Sequence, residues 1–173
     1  ILYKGVKPSK SSVTQVSESM GMLEARSMVD TRLLKLHNNS AAWLAAEQRP
    51  FIEALNQQMA ETLWYNDGII NDERFMGFAP RYSSLSAPNG KNIIDAGGTG
   101  ANNASIWLVI WGGQGCFGIY PKGSKAGIES KDIGINTVQD DEGGRFEVHE
   151  KLFMWDLGLC VRDWRRVVRI ANI

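Results

Sequence analysis

NSAAWLAAEQRPFIEALNQQMAETLWY, residues 39–65, carries the one sustained helical period in the chain. Leu44, Phe51, Ile52, Leu55, Met59 and Leu63 recur at spacings of three and four or their sum, which aligns them along one face of a helix. A helix of this length spans roughly 40 Å, long for a small domain. Asn39 or Ser40 can act as N-cap, because a short oxygen-bearing side chain accepts a hydrogen bond from the free N–H groups of the first turn. Asn66, Asp67 and Gly68 supply the stop, with Gly68 able to take a positive φ. Pro50 falls inside the pattern, where it removes one N–H and clashes with the carbonyl four residues back, at about 3 kcal/mol in an unbroken helix. The spacing therefore predicts a kink near Arg49, or alternatively two helices with Pro50 in the first turn of the second. Trp43, Trp64 and the leucines read as core packing.

The chain of 173 residues fits one domain, or two lobes sharing a core. Nineteen basic residues balance nineteen acidic ones, so no net field draws it to nucleic acid or to an acidic membrane surface. Cys116 and Cys160 lack the spacing of a redox or zinc motif and read as free thiols of a reducing compartment. The longest apolar block, residues 106–111, suits a buried strand and is far too short to span a membrane. The chain starts within an apolar stretch, Ile1, Leu2 and Tyr3, and ends within a strand-like run, residues 167–173. It reads as a fragment of something longer, the alternative being a processed mature product.

Outward from the helix, residues 4–12 form a lysine-bearing loop broken by Gly5 and Pro8. Residues 13–28 alternate loosely, predicting a strand well above the usual length that projects as an arm; its partner is expected to be the strand ending at Tyr3. Residues 30–36 predict a short helix capped by Asp30. Residues 68–105 are mostly turn chemistry and exceed ordinary loop length, predicting either a functional surface or a segment packed on a neighbour. Residues 106–111 and 117–120 predict a pair of strands joined by the turn Gly112, Gly113, Gln114, Gly115. Residues 122–135 read as an exposed loop, followed by a short element at Thr137 and Val138 and further strands over 145–155, 158–161 and 166–173.

Residues 113–118 match GxGxxG after a predicted strand, but the motif needs a helix to follow, and Ile119, Tyr120 and Pro121 continue as strand and stop. A hairpin turn accounts for the glycines better. Residues 123–127 resemble part of a phosphate cradle without the Walker order. Asp140, Asp141 and Glu142 sit in a glycine turn without calcium-loop spacing and read as solvated. His37 and His149 have no motif partner, so no catalytic residue, metal site or cofactor is assigned. Residues 162–169 are the most basic run, with Trp164 inside it. Alternation would put Arg165, Val167 and Arg169 on one face and Trp164, Arg166 and Val168 on the other. Such a run can bind single strands, but the split arginines and the adjacent Asp163 favour salt bridges within or between subunits.

GVKPSK, GMLEARSMVD, GFAPRYSSLS with NIIDAGGTG, IWLVIWGGQGCFGIYPKGSKAG and WDLGLCVRDWRRVVRIANI together resemble the major capsid proteins of tailed bacteriophages with the Hong Kong 97-type coat fold. IYPKGSKAG and VRDWRRVVRIANI are the most specific of these stretches. The resemblance implies an α+β fold with an extended E-loop whose tip and returning strand are residues 1–29. It implies a peripheral domain over 30–104 with a spine helix at about 40–65, an axial sheet and loops over 105–165, and a returning strand over 166–173. Against the family pattern, the N-terminal arm and the strand ascending to the E-loop tip are missing, and Pro50 stands where relatives keep a plain helix former.

The expected function is thus a structural, non-enzymatic coat protein forming hexamers and pentamers of an icosahedral head around double-stranded DNA. Expected partners are further copies of the chain, portal and scaffold or decoration proteins, and packaged DNA by non-specific contact, with no membrane. The expected location is the virion capsid, with host cytoplasm during assembly. Candidate subunit-contact residues are Lys4, Lys7, Lys10, Glu18, Glu24, Arg26, Arg162, Arg165 and Arg166. The competing readings are a nucleotide-binding enzyme using the glycine loop 113–118 and a nucleic-acid-binding module using residues 162–169.

Overall fold

A computed structural model describes residues 7–10 and 13–173; the expected strand ending at Tyr3 and the candidate Lys4 lie outside the described residues. The elements in order are β1 (Met20–Asp30), α1 (Thr31–Leu36), α2 (Ala41–Tyr65), α3 (Phe78–Arg81), β2 (Ile93–Asp95), β3 (Ile106–Val109), β4 (Cys116–Ile119), β5 (Glu129–Gln139), β6 (Arg145–Val161) and β7 (Val167–Ala171). The fold is α+β.

Both expected helix starts are present. Asp30 accepts a hydrogen bond from the Arg32 N–H at 2.7 Å and starts α1. Ser40 Oγ accepts from the Trp43 N–H at 3.3 Å and starts α2. Between them Asn38 and Asn39 take left-handed φ values of 54° and 52°, which asparagine tolerates better than most residues. The helix α2 runs as one element of 25 residues with Pro50 inside it, so the two-helix alternative does not hold. Pro50 and Ala46, whose carbonyl loses its partner there, are both exposed, and water can satisfy that carbonyl. Leu55 and Met59 are buried as expected, along with Gln48 and Thr62, whereas Leu44, Phe51, Ile52 and Leu63 are half-buried. The helix stops where expected, before Asn66, but not by the expected glycine geometry. Gly68 is not in the left-handed region; instead Asn66 leaves helical geometry and its Nδ2 donates to the Phe75 carbonyl at 2.9 Å inside the protein.

Two sheets hold the rest. Strand β6, 17 residues long, merges two of the expected strands and is the middle of the larger sheet. Along one side it pairs antiparallel with β1, from Met20 opposite Gly158 to Asp30 opposite Val148. Along the other it takes β5 and then β4, end to end. The smaller sheet has order β2-β7-β3, with β2 parallel and β3 antiparallel to β7.

Three expectations are corrected by this pairing. The strand expected over 13–28 begins only at Met20, and its partner is β6 of the same chain, because alternation reports a strand but not where its hydrogen bonds go. The strands expected to pair as a hairpin, β3 and β4, belong to different sheets: Val109 lies opposite Val167 and Cys116 opposite Val161, so the two flank successive parts of the same downstream segment. Residues 129–135 are strand, not loop; β5 is polar because it is an edge with most of its side chains in solvent.

The core lies where α2, the segment after it and both sheets meet. Phe75, Phe78 and Tyr82 are at most 1% exposed and join Met59, Ile93, Cys116, Leu159, Val167 and Ala171. Within the stretch 68–105 the aromatic residues fill the chain's own centre, whereas residues 94–104 are exposed. Each such ring contributes about 1.5–3 kcal/mol by leaving water. Trp64, Phe78 and Trp107 have ring centroids 5.2–6.0 Å apart in tilted arrangements. Gly77 permits this approach. A Cβ there would stand 2.6 Å from the Thr62 carbonyl oxygen and 2.8 Å from that of Leu63, both on α2.

Candidate functional site: subunit-contact surfaces

The candidate charged residues divide into those held within the chain and those left in solvent. Glu18 is held. Its two carboxylate oxygens accept from Arg81 Nη1 at 2.7 Å and Nη2 at 2.6 Å, a two-pronged pair with both side chains largely out of solvent. Arg81 also donates to the Met76 carbonyl, from Nε at 3.3 Å and Nη2 at 3.2 Å. This pair ties the end of the extended segment 13–19 to the core. Upstream of it, Val13 and Val16 are 99% and 70% exposed. Arg26, on β1, reaches across to β6, where its Nη1 donates to Glu150 Oε1 at 2.9 Å while Asn136 Nδ2 donates to Oε2 at 2.9 Å. The Asn136 hydrogen bond, followed by Arg26, holds the Glu150 carboxyl below its usual range although burial opposes this. Lys7, Lys10 and Glu24 are exposed and make no ion pair among the described residues.

The basic run forms a short 3-10 turn over Trp164–Arg166, so the expected strand alternation starts only at Val167. Asp163 organises the turn. It accepts from Arg165 Nε and Nη2, each at 2.9 Å, and from the Arg165 N–H at 3.1 Å, with Arg166 Nε 3.9 Å away. These hydrogen bonds from Arg165 hold the Asp163 carboxyl below its usual range. Arg162 donates to the Gly113 carbonyl at 3.1 Å. Arg169 donates to the Tyr82 carbonyl at 2.8 Å and to Ser105 Oγ at 3.2 Å, and lies 5.3 Å from the centre of the Trp107 ring. The arginines are thus engaged by acceptors of their own chain. Of the four, Arg165 and, more distantly, Arg166 pair with a carboxylate, whereas Arg162 and Arg169 bond to backbone carbonyls and Ser105.

The glycine loop has no helix after it. Gly115 donates to the Gly112 carbonyl at 2.8 Å, and the chain enters β4 at Cys116. A Cβ on Gly115 would be 2.7 Å from the Ile110 carbonyl oxygen, so this glycine allows two backbones to meet and forms no phosphate cradle. Ser124, in the other glycine-bearing loop, donates to Asp156 Oδ2 at 2.7 Å. In the acidic turn, Asp140 Oδ1 accepts from the N–H groups of Glu142 and Gly144, consistent with a self-capped hairpin turn between β5 and β6. His37 stacks on Trp43 at 4.2 Å, and His149 Nε2 lies 3.7 Å from Asp132 Oδ1. Burial pushes the Cys116 thiol up to about 11 and the Tyr82 hydroxyl up to about 12, which makes neither a ready nucleophile. No helix among the described residues is long and apolar enough to cross a membrane.

Sequence reasoning noted Asp163 beside the arginines but missed Arg81 as the partner of Glu18 and Glu150 as the partner of Arg26. Only Asp163 carried a local signal, being two residues from Arg165. Arg81 and Glu18 are 63 residues apart and carried none.

The chain matches the family described as Major capsid protein GP7 over residues 1–173. No curated protein gives a significant match. Among solved structures, a chain of bacteriophage Epsilon15, determined by cryo-EM at near-atomic resolution, is similar with a TM-score of 0.67 and 31% sequence identity. The match covers 99% of this chain and 52% of that one, so the chain spans about half the length of that relative. Matched from end to end by the family and sharing its fold with a phage chain, the protein belongs to the GP7 major capsid protein family.

Proposed function

We propose that the chain is the greater part of one coat subunit's E-loop, peripheral and axial regions in a Hong Kong 97-type phage head. In this reading α2 is the spine helix of a peripheral region over 30–104, and residues 1–29 hold the tip and returning strand of the E-loop. Residues 105–165 supply the axial sheet and loops, and 166–173 lead back. Subunits close into hexamers and pentamers around double-stranded DNA, which is held by confinement. Portal and scaffold or decoration proteins complete the head, and assembly takes place in host cytoplasm.

The observation that carries this reading is the family match over the full 173 residues, joined to a fold shared with the Epsilon15 chain at 31% identity. Zero net charge supports it, since strongly like-charged subunits repel in a lattice. Within the E-loop, pairing of β1 with β6 leaves the residues before Met20 as the part able to reach a neighbour. Lys7, Lys10 and Glu24, with the solvent-facing sides of Arg162, Arg165 and Arg166, are the charges proposed to meet adjacent subunits.

The test is expression of the full-length gene, followed by electron microscopy and light scattering. Closed shells of uniform diameter are the expected result. Monodisperse monomers under every assembly condition would overturn the reading.

A further inference from the structure

Asp67 and Asn89 are the only aspartate and asparagine in the chain followed directly by glycine. A glycine nitrogen has no Cβ beside it to screen its approach, so it can attack the side-chain carbonyl carbon of the residue before and close a five-membered succinimide. In free peptides asparagine reacts the faster of the two at neutral pH, because a neutral amide is a better electrophile than a carboxylate. The fold treats the two positions in opposite ways.

Asn89 and Gly90 are held apart. Asn89 Nδ2 donates to the Arg81 carbonyl at 2.8 Å, and the nitrogen that would attack, on Gly90, donates to the Ala87 carbonyl at 2.8 Å. Gly90 is buried so close to the Leu85 carbonyl that a Cβ has no room, so neither group can swing towards the other unless the turn opens. At Asp67 and Gly68 the arrangement is the reverse. Asp67 Oδ1 accepts from the Ile69 N–H at 2.9 Å, which folds the carboxyl back along the chain over the Gly68 peptide. The Gly68 N–H has no acceptor among the described residues. Both residues are half-buried beside an open cleft of about 240 Å³, lined in part by Glu61, Tyr65, Asn71 and Arg74, with ample room for the water that ring closure releases and ring opening takes up. The Ile69 N–H also faces an oxygen on which negative charge grows as the ring closes, the place where a hydrogen-bond donor lowers a barrier.

We propose that the fold selects Asp67, and not Asn89, as its site of spontaneous isoaspartate formation. The Gly68 nitrogen bonds to Asp67 Cγ, and its proton leaves with the hydroxyl of the protonated carboxyl as water. Water then adds back to either ring carbonyl. Opening at Cγ restores aspartate, whereas opening at the main-chain carbonyl leaves the backbone running through Cγ and turns the former main-chain carbonyl into a side-chain carboxylate. Mass is unchanged, and no oxidant, metal or cofactor enters. The product lengthens the backbone by one atom at a crowded turn. The Asp67 carbonyl now accepts from the N–H groups of Ile70 and Asn71 at 3.1 and 2.9 Å, and Asn66 beside it bonds to Phe75 and Gly77, each at 2.9 Å. Rearrangement therefore loosens the link between the end of α2 and the core. The chemistry depends on this turn and not on assembly into a shell.

The experiment incubates the full-length coat protein for weeks in neutral buffer at physiological temperature, beside the same protein held unfolded in urea. Peptide mass spectrometry with electron-transfer fragmentation separates isoaspartate from aspartate at position 67, and the mass gain of deamidation reports position 89. In urea position 89 is expected to react first. In the native protein the order is expected to reverse, with position 89 slowed at least about tenfold, as for a group reached only by local opening, and position 67 not slowed. The same order in both samples would overturn the proposal, as would the absence of isoaspartate at 67 from native protein by the time it has formed in urea. Gly68→Ala places a Cβ at ordinary contact distance from Met76, so the fold is expected to hold while the attacking nitrogen is shielded. Isoaspartate at 67 should then form several-fold more slowly, and an unchanged rate would rule out attack by Gly68. The order of reaction in the unsubstituted protein decides the matter even if that variant does not fold.

Discussion

Arg81 spreads one guanidinium over both oxygens of Glu18 and the carbonyl of Met76, so three pieces of chain distant in sequence meet at one side chain. The planar fork is what makes this possible, and a lysine ammonium cannot reproduce it. Arg81→Lys is expected to lower stability by about 2–4 kcal/mol, since it leaves a largely desolvated carboxylate poorly matched. The same substitution should release the chain before Met20. A shift in the denaturant midpoint at unchanged slope, with faster proteolysis confined to residues 13–19, is the outcome to look for; wild-type values of both would remove Arg81 from this role. Nothing in the residues near Glu18 announces such a partner. Sequence reasoning chose Glu18 for its charge on a loose strand, and the structure commits that charge inward.

At the scale of elements, Pro50 is the position where local rule and observed structure disagree most. The helix continues through it, at a point where both Pro50 and Ala46 are exposed. Pro50→Ala restores an N–H and a better helix former, so a gain of about 1–3 kcal/mol is expected, read as a higher thermal midpoint. We further expect shells built from the variant to change in diameter or yield if the proline sets the direction of the spine; identical shells would refute that part alone. The helices were legible because their signals are local: Asp30 and Ser40 sit beside the N–H groups they cap. The sheets were not, because β1 and β6 each alternate plausibly but their pairing is decided by distant chain. The burial of Phe75, Phe78 and Tyr82 was masked by the glycine, proline and serine around them, and only Phe78 lies in a helix, the single turn α3. Of the candidate site, charge identities could be read, whereas which charges are internally spent could not.

For the molecule as a whole, acid should be the destabilising direction. Glu150, Asp95 and Asp163 all titrate below the usual carboxylate range: Glu150 chiefly through Asn136, Asp95 through Asn172, and Asp163 through Arg165. A carboxyl whose folded-state pKa is depressed contributes stability that is present above its unfolded pKa and lost as pH falls through the folded one. The thermal midpoint is therefore expected to hold from about pH 7 to 5 and to fall below about pH 4. Glu150, the most buried of the three, should dominate, so Glu150→Gln should start lower and fall less; parallel acid limbs in the two proteins would contradict this assignment. The central strand has a consequence in time as well as in space. Among the described residues strand β1 finds its ladder on β6, and Arg26 and Glu150 are 124 residues apart. At ordinary rates of translation that gap lasts on the order of ten seconds. For that interval the nascent chain carries a methionine-bearing strand without its β6 partner, and the ribosome, more than the folded subunit, sets when that edge is most exposed to misassociation.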